Sequence, residues 1–253
     1  MADLTEITEF LDAWLKIDAV EDYPGAYNGL EIESRQPVEK VAAAVDACRA
    51  TAEMAAAADA QLLVVHHGLF WNDPLPLTGR NYRRVKAFLD ADLALYAAHL
   101  PLDAHADVGN NVLLAEALEL EIEGRFGEHE GVDGLGVWCS ADLPRDDFLG
   151  RVATACGGEE PTLIPGGPSH VRRVGICTGA ASTLLDEAHE AGLDTFVTGE
   201  GPHHTFHQAQ ELGVNVVYAG HYATETFGVK AVARRLTEEF GVEAEFLDHP
   251  TGL

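Results

Sequence analysis

An internal repeat constrains the fold of this chain more than any other feature of its sequence. Residues 44–68, AVDACRATAEMAAAADAQLLVVHHG, resemble residues 174–204, VGICTGAASTLLDEAHEAGLDTFVTGEGPHH. In both stretches a strand pattern is followed by a turn of small residues, a helix pattern, a second strand and two histidines. Farther along, LYAAHLPLD (95–103) resembles VYAGHYATE (217–225), in the same order. Two matches in one order predict two related α/β halves.

Helix and strand patterns also alternate along the rest of the chain, which is typical of an α/β protein. Strands are predicted at residues 41–47, 62–65, 94–98, 136–139, 174–178, 195–198 and 215–219. Helices are predicted at 5–17, 50–60, 82–90, 111–120, 145–155, 182–191 and 224–240, with Asn110 as the N-cap of the fourth. We therefore expect two related, interlinked α/β halves with mixed sheets flanked by helices.

The motifs divide the chain into three parts. Residues 1–120 form the first half and carry the HHG and HLPLD motifs, and residues 170–253 form the second half and carry the GE and HYATE motifs. Residues 121–169 become rich in glycine and proline toward their end. We interpret that stretch as a short connecting region with one strand and one helix.

Composition excludes several classes of protein. The net charge of -26 comes from 42 acidic and 16 basic residues spread along the chain. Such a charge opposes the compact state unless salt screens it, so the pattern indicates a halophilic acidic protein from a salt-rich cytoplasm. It argues against a general nucleic-acid binder, because a basic footprint is missing.

The same data indicate a cytoplasmic protein without a membrane partner. The first residues, MADLTEITEFLDAWL, lack the basic segment of a signal peptide, and no apolar run approaches membrane-spanning length. The four cysteines show no C-x-x-C pair, which favours free thiols in a reducing compartment.

Histidines and carboxylates recur where the predicted strands end. The positions are His66, His67, His99, Asp103, His221 and Glu225. Ligands of open α/β sheets bind outside the carboxyl ends of the strands. Imidazole and carboxylate without thiolate suit Zn, Mn, Fe, Ni or Co, and two similar half-sites suggest two metal ions. The alternative is a set of histidines that cap strands and bind backbone groups. Pro101 predicts a loop, not a helical turn, at 99–103.

Four longer motifs contain most of these residues: VVHHGLFW, AAHLPLDAHADVGNNVLLA, TGEGPHHTFHQA and YAGHYATE. Together they resemble the motifs of the GTP cyclohydrolase 1 type 2 family, also called Nif-three-like, whose members are hexameric proteins with a dinuclear metal centre. The resemblance implies two divalent metal ions per chain, in a cleft between the halves. It implies five ligands: His66, His67, Asp103, His221 and Glu225. In the family pattern Glu225 bridges, His67 and Asp103 hold one ion, and His66 and His221 hold the other.

The resemblance also implies a homohexameric ring with metal sites that face an inner cavity. Larger members carry an inserted domain in the middle of the chain, and the short stretch at 121–169 shows that this insert is absent.

Further polar positions lie outside the implied ligands. His99 is interpreted as a residue that supports the ligands or carries protons, or else as a core histidine with its bonds satisfied. His207 is assigned a supporting role; with His203 and His204 it follows Gly199-Glu200 in a predicted loop, which lines the cavity or is solvated. The segment CTGAAS (177–182) could hold a phosphate on its helix-start amides, but a tight turn is the favoured interpretation.

The predicted function follows from the resemblance. It implies a divalent-metal-dependent hydrolase of GTP cyclohydrolase type that acts on a purine nucleotide, with water attacking the imidazole-ring carbon of guanine. Nothing in the residue spacing selects guanine, and no catalytic residue is assigned. One alternative is a non-catalytic metal-binding or scaffold ring protein, and another is a generic two-metal phosphoesterase. Nucleotide-dependent product release separates an enzyme from a scaffold.

Overall fold

The computed structural model describes residues 1–71 and 75–253. Within them the chain forms two compact units. Unit 1 contains residues 1–102 and 228–249, and unit 2 contains residues 103–227 and 250–253. Each unit therefore takes up chain from two separate stretches, and each has a mixed sheet with helices, as predicted. The division of the chain into 1–120, 121–169 and 170–253 stays a prediction.

The elements are numbered in chain order. The helices are α1 Leu4–Leu15, α2 Arg49–Ala57, α3 Gly79–Ala91, α4 Leu100–Asp103, α5 Asn110–Ala117, α6 Arg145–Ala155, α7 Leu185–Glu190, α8 Thr205–Leu212, α9 His221–Thr224 and α10 Thr226–Phe240. The strands are β1 Gly29–Ile32, β2 Lys40–Asp46, β3 Leu62–His67, β4 Ala94–Ala97, β5 Ile122–His129, β6 Val132–Pro144, β7 Thr162–Ile164, β8 His170–Ile176, β9 Thr195–Thr198, β10 Asn215–Tyr218 and β11 Glu243–Phe246.

Unit 1 has a five-stranded sheet in the order β1-β4-β3-β2-β11. Strands β4, β3, β2 and β11 are parallel, and β1 pairs antiparallel with β4. The apolar strands β2 and β3 are almost wholly buried, as expected for parallel strands covered on both faces. The register places Asp46 opposite His67 where these two strands end.

Unit 2 has a six-stranded sheet in the order β5-β6-β8-β9-β10-β7. Strands β8, β9 and β10 are parallel, whereas β6 is antiparallel to β8 and β7 is antiparallel to β10. In both units an antiparallel strand (β1 or β7) precedes three parallel strands and pairs with the last of them. The topology therefore repeats, as the sequence predicts.

Four strands at the edges of the sheets, β1, β5, β7 and β11, are not predicted from the sequence. An edge strand pairs on one side only and is more exposed, so its apolar pattern is weak. The strand predicted at 136–139 is in fact part of β6, which has 13 residues. The stretch 121–169 thus contributes three strands to the sheet of unit 2.

Two predicted loops are short helices. Residues 100–103 form the turn α4, and Pro101 fits there because the first turn of a helix needs no N–H donor. Residues 205–212 form α8, so His207 lies on a helix. The predicted N-cap is also wrong, because Gly109 caps α5 and Asn110 is its buried first residue. Among the described residues, no helix combines the length and the apolar content needed to cross a bilayer.

Candidate metal centre

Three histidines of unit 1 cluster where β3 and β4 end. His67 is the last residue of β3, and His99 follows β4 by two residues. Because these strands are parallel neighbours, their carboxyl ends lie at the same edge of the sheet. The ring centroid of His66 lies 4.7 Å from that of His67 and 4.9 Å from that of His99. Each ring offers a nitrogen within 4.8 Å of the other two, so the three could hold a metal ion.

An oxygen acceptor fixes each of these rings through Nδ1. The contacts are His66 to the Ala98 carbonyl at 2.9 Å, His67 to Asp46 Oδ1 at 2.9 Å and His99 to Asp22 Oδ1 at 2.8 Å. A carbonyl or carboxylate oxygen accepts a hydrogen bond and has no proton to donate, so Nδ1 carries the hydrogen and is the donor in each ring. The lone pair of each neutral ring is then on Nε2, as in histidines that bind metals.

The loop before β1 positions His99. The Asp22 carboxylate accepts hydrogen bonds from the side chain of Asn28 at 2.8 Å and from the amide of Leu100 at 3.1 Å. The amide of His99 in turn donates to Asn28 Oδ1 at 2.7 Å. Burial by itself raises the pKa of Asp22. The opposing effects are larger: the hydrogen bond and charge of His99, and the hydrogen bonds from Asn28 and Tyr23, bring the pKa of Asp22 below its usual value. Asp22 therefore stays ionised beside the ring.

A tight turn follows the paired histidines. A Cβ atom on Gly68 would lie 2.2 Å from Glu31 Oε1 and 2.8 Å from the Cβ of Ala97, so only glycine fits. The Glu31 carboxylate accepts hydrogen bonds from the amides of Leu69 at 2.8 Å and Phe70 at 3.1 Å. Burial raises the pKa of Glu31 to about 7, despite these amides and the nearby charge of Arg84. This carboxyl group holds the chain where it leaves β3.

The second candidate set lies in unit 2 at the end of β10. His221 Nδ1 lies 2.8 Å from Glu200 Oε1, and His221 Nε2 lies 3.1 Å from Glu225 Oε2. Burial lowers the pKa of His221, but its hydrogen bonds and ion pairs with Glu225 and Glu200 outweigh burial and raise the pKa to about 9. Glu225 is only 3% exposed. A Cβ atom on Gly179 would lie 2.2 Å from Glu225 Oε1, so the small-residue turn leaves room for the carboxylate.

Asp103 lies in the same unit as His221 and Glu225. It is buried and accepts a hydrogen bond from Asn110 Nδ2 at 2.8 Å. Burial raises the pKa of the Cys177 thiol, and the negative charges of Asp103 and Glu225 raise it further. Both carboxylates therefore act on the same buried thiol. Because the thiol stays protonated, it is not a metal ligand. The donors of the site are therefore imidazole and carboxylate groups, a set that fits a divalent metal ion.

The other predicted polar positions make contacts of their own. His207 is exposed on α8, with its ring 5.5 Å from Phe206 and 6.2 Å from His203. Its supporting role stays a prediction. The amides of the CTGAAS segment are engaged: those of residues 178, 179 and 181 donate to Asn111 Oδ1, Thr224 Oγ1 and Thr198 Oγ1. The segment is a tight turn, as favoured, and not a phosphate site.

Sequence reasoning missed the carboxylates that orient the histidines. Asp46 could have been found, because it ends the strand beside His67 in a parallel register. Glu200 stands in the GE motif, but its bond to His221 joins residues 21 apart. No sequence pattern marks Asp22 as the partner of His99, because it lies 77 residues from His99 in a segment with no predicted helix or strand.

Comparisons with known proteins find relatives over nearly the whole chain. A family model described as Duf34/NIF3 (NGG1p interacting factor 3) matches residues 2–251. The chain is 45% identical over 253 residues to a Deinococcus radiodurans protein named GTP cyclohydrolase 1 type 2 homolog, covering 98% of this chain and 94% of the relative. Among solved structures, it is similar to protein ybgI, of unknown function, with a TM-score of 0.91, 33% identity and coverage of 98% and 99%. A Thermus thermophilus protein of known structure is 42% identical with a TM-score of 0.89, covering 99% and 100%.

Proposed function

The chain belongs to the Duf34/NIF3 family, and we propose that it is a divalent-metal-dependent hydrolase of GTP cyclohydrolase type that acts on a purine nucleotide. The histidine cluster of unit 1 carries this proposal. Three imidazoles gather at the carboxyl edge of a sheet, and an oxygen acceptor fixes each through Nδ1. Held in this way, the three rings keep one orientation, and the Nε2 atoms of His66 and His67 become more basic ligands.

The proposed ligands are the five residues named from the sequence. His66, His67 and His221 supply three imidazoles, and Asp103 and Glu225 supply two buried carboxylates. We propose that they hold two divalent ions per chain, with Glu225 as the bridge. The donor types suit Zn, Fe, Mn, Ni or Co. Such a pair of ions activates water and polarises the substrate when bound.

His99 is the proposed proton carrier. Its Nδ1–H is held by the ionised Asp22, so Nε2 is the atom that takes up or releases a proton. The carboxylate stabilises the imidazolium form and keeps the ring in one tautomer, as in other histidine–aspartate pairs. In hydrolysis of the guanine imidazole ring, a proton leaves the attacking water and another reaches the departing ring nitrogen. His99 can perform both transfers.

Product analysis after incubation with GTP tests this function. We expect the wild-type protein, loaded with metal, to open the imidazole ring by adding one water molecule. Asp22→Asn should slow product release at least about tenfold and leave the metal content unchanged, because His99 loses its ionised partner. Asp142→Asn is the matched control, since Asp142 makes a similar 2.7 Å contact with His170 outside the proposed site.

Three outcomes would count against the proposal. Phosphate release without ring opening would favour the two-metal phosphoesterase. A fully loaded protein that changes no nucleotide would favour the metal-binding or scaffold protein. Equal rates for Asp22→Asn and the control would remove His99 from the mechanism.

A further inference from the structure

Basic residues are concentrated on one helix of this acidic chain. Only 16 of 253 residues are basic against 42 acidic ones, yet four basic residues fall within the seven positions 80–86 of α3. The first turn of α3 contains no acidic residue. On a chain with a net charge of -26, such a segment stands out as a place for an anionic ligand.

Three of these residues share one face of α3. Arg80, Arg83 and Arg84 are spaced i, i+3 and i+4, so their side chains are neighbours on the helix surface. Arg80 and Arg83 are exposed, while Val85 and Phe88 bury the other side of α3 in the core of unit 1. Among the described residues, Lys86 of α3 forms an ion pair with Asp90, farther along the same helix. Arg80 and Arg83 therefore remain available to an anion.

The arginine face lies at the edge of the sheet that carries the histidine cluster. Helix α3 connects the parallel neighbours β3 and β4, so its first turns lie near the carboxyl ends of the strands. A chain of contacts shows the same proximity. Arg84 Nη2 donates to the Ala47 carbonyl at 2.8 Å, and the Ala47 amide donates to the His67 carbonyl at 2.7 Å.

We infer that Arg80 and Arg83 bind the phosphate chain of the nucleotide, with the charge of Arg84 beside them, an inference that rests on the proposed function. Guanidinium groups suit phosphate because they donate pairs of parallel hydrogen bonds. Residues 80 to 84 span about 6 Å along the helix axis, the scale of a short phosphate chain. A single-stranded nucleic acid would need a longer basic track with several aromatic residues. The base then extends toward the histidines at the strand ends.

Titration calorimetry on the metal-loaded full chain tests the site. The probes are inorganic tripolyphosphate, GTP and guanosine, compared in Arg80→Gln/Arg83→Gln and in the control Arg35→Gln/Arg234→Gln. The control makes the same charge change at exposed arginines of unit 1. We expect the first pair of substitutions to weaken tripolyphosphate and GTP at least about tenfold, since each arginine lost removes a charge-assisted contact. Guanosine binding should not change, and the control should bind like wild type.

Several results would overturn the inference. One is an equal affinity of both double variants for tripolyphosphate, and another is a wild-type chain that binds no tripolyphosphate. A third is a single-stranded oligonucleotide that displaces GTP from the protein and is not itself displaced by tripolyphosphate. GTP turnover distinguishes this inference from the proposed function. If the function is right, the arginine variant should raise KM and leave kcat unchanged. If the arginine variant turns over GTP with an unchanged KM, the phosphate site is wrong and the proposed enzyme function stands. If tripolyphosphate binding depends on the arginines but no GTP is turned over, the enzyme function is wrong and the phosphate site stands.

Discussion

At the scale of single residues, four histidines share one arrangement. The Nδ1 atoms of His66, His67, His99 and His221 each face an oxygen at 2.8 to 2.9 Å. Three of these oxygens belong to carboxylates that the sequence patterns did not mark as partners. The sequence could show which imidazoles stand at strand ends, because strand ends follow from apolar runs. It could not show their partners, because contacts between distant segments leave no local pattern.

Glu31 gives a prediction on pH at this scale. Its pKa is about 7 in the folded protein, against an ordinary value of 4.5, because it is buried. The folded state therefore holds this proton more tightly than the unfolded state does. The contribution to stability is complete below pH 4.5 and is lost as the pH rises through 7. Relative to Glu31→Gln, the wild-type free energy of unfolding should fall by at most about 3 kcal/mol between pH 5 and pH 8.

Denaturant unfolding of both proteins at several pH values measures this difference. The comparison cancels the pH dependence of the other carboxylates, which both proteins share. A difference between wild type and Glu31→Gln that stays constant from pH 5 to pH 8 would show that Glu31 titrates normally.

At the scale of elements, the turn after β3 depends on the absence of a side chain. A methyl group on Gly68 would meet both Glu31 and Ala97, so Gly68→Ala should destabilise the protein by about 1–3 kcal/mol. Gly150 is the matched control, because it lies within α6 and its added Cβ would meet nothing within 4 Å. Gly150→Ala should stabilise by about 0.5–1 kcal/mol. Thermal unfolding of the two variants measures both effects, and equal shifts would refute the packing argument.

The elements found and missed from the sequence differ in a physical way. Central strands such as β3 and β9 are buried on both faces and read as continuous apolar runs. Edge strands such as β5 and β11 are more exposed and carry charged residues, so their sequences do not indicate a strand. The turn α4 differs from the prediction because Pro101 favours a loop in a sequence pattern, although proline is tolerated in the first turn of a helix.

At the scale of the whole molecule, charge is the dominant feature. We predict a closed homo-oligomer, a hexamer, as the family resemblance implies. With a net charge of -26 per chain, a hexamer would gather roughly six times that charge, so salt should be needed to hold it together. Light scattering across a salt series should show the larger species at high salt and smaller species at low salt. A monomer at every salt concentration would contradict this prediction.

Metal content per chain is the decisive measurement for the proposed dinuclear centre. Elemental analysis of the wild-type protein should find two divalent ions per chain. Glu225→Ala should lower the occupancy of both, because it removes the proposed bridge, whereas His221→Ala should chiefly lower one. Asp142→Ala serves as the control, and circular dichroism confirms that each variant is folded. If folded Glu225→Ala protein keeps two ions per chain, Glu225 does not bridge them, and the bridging assignment is wrong.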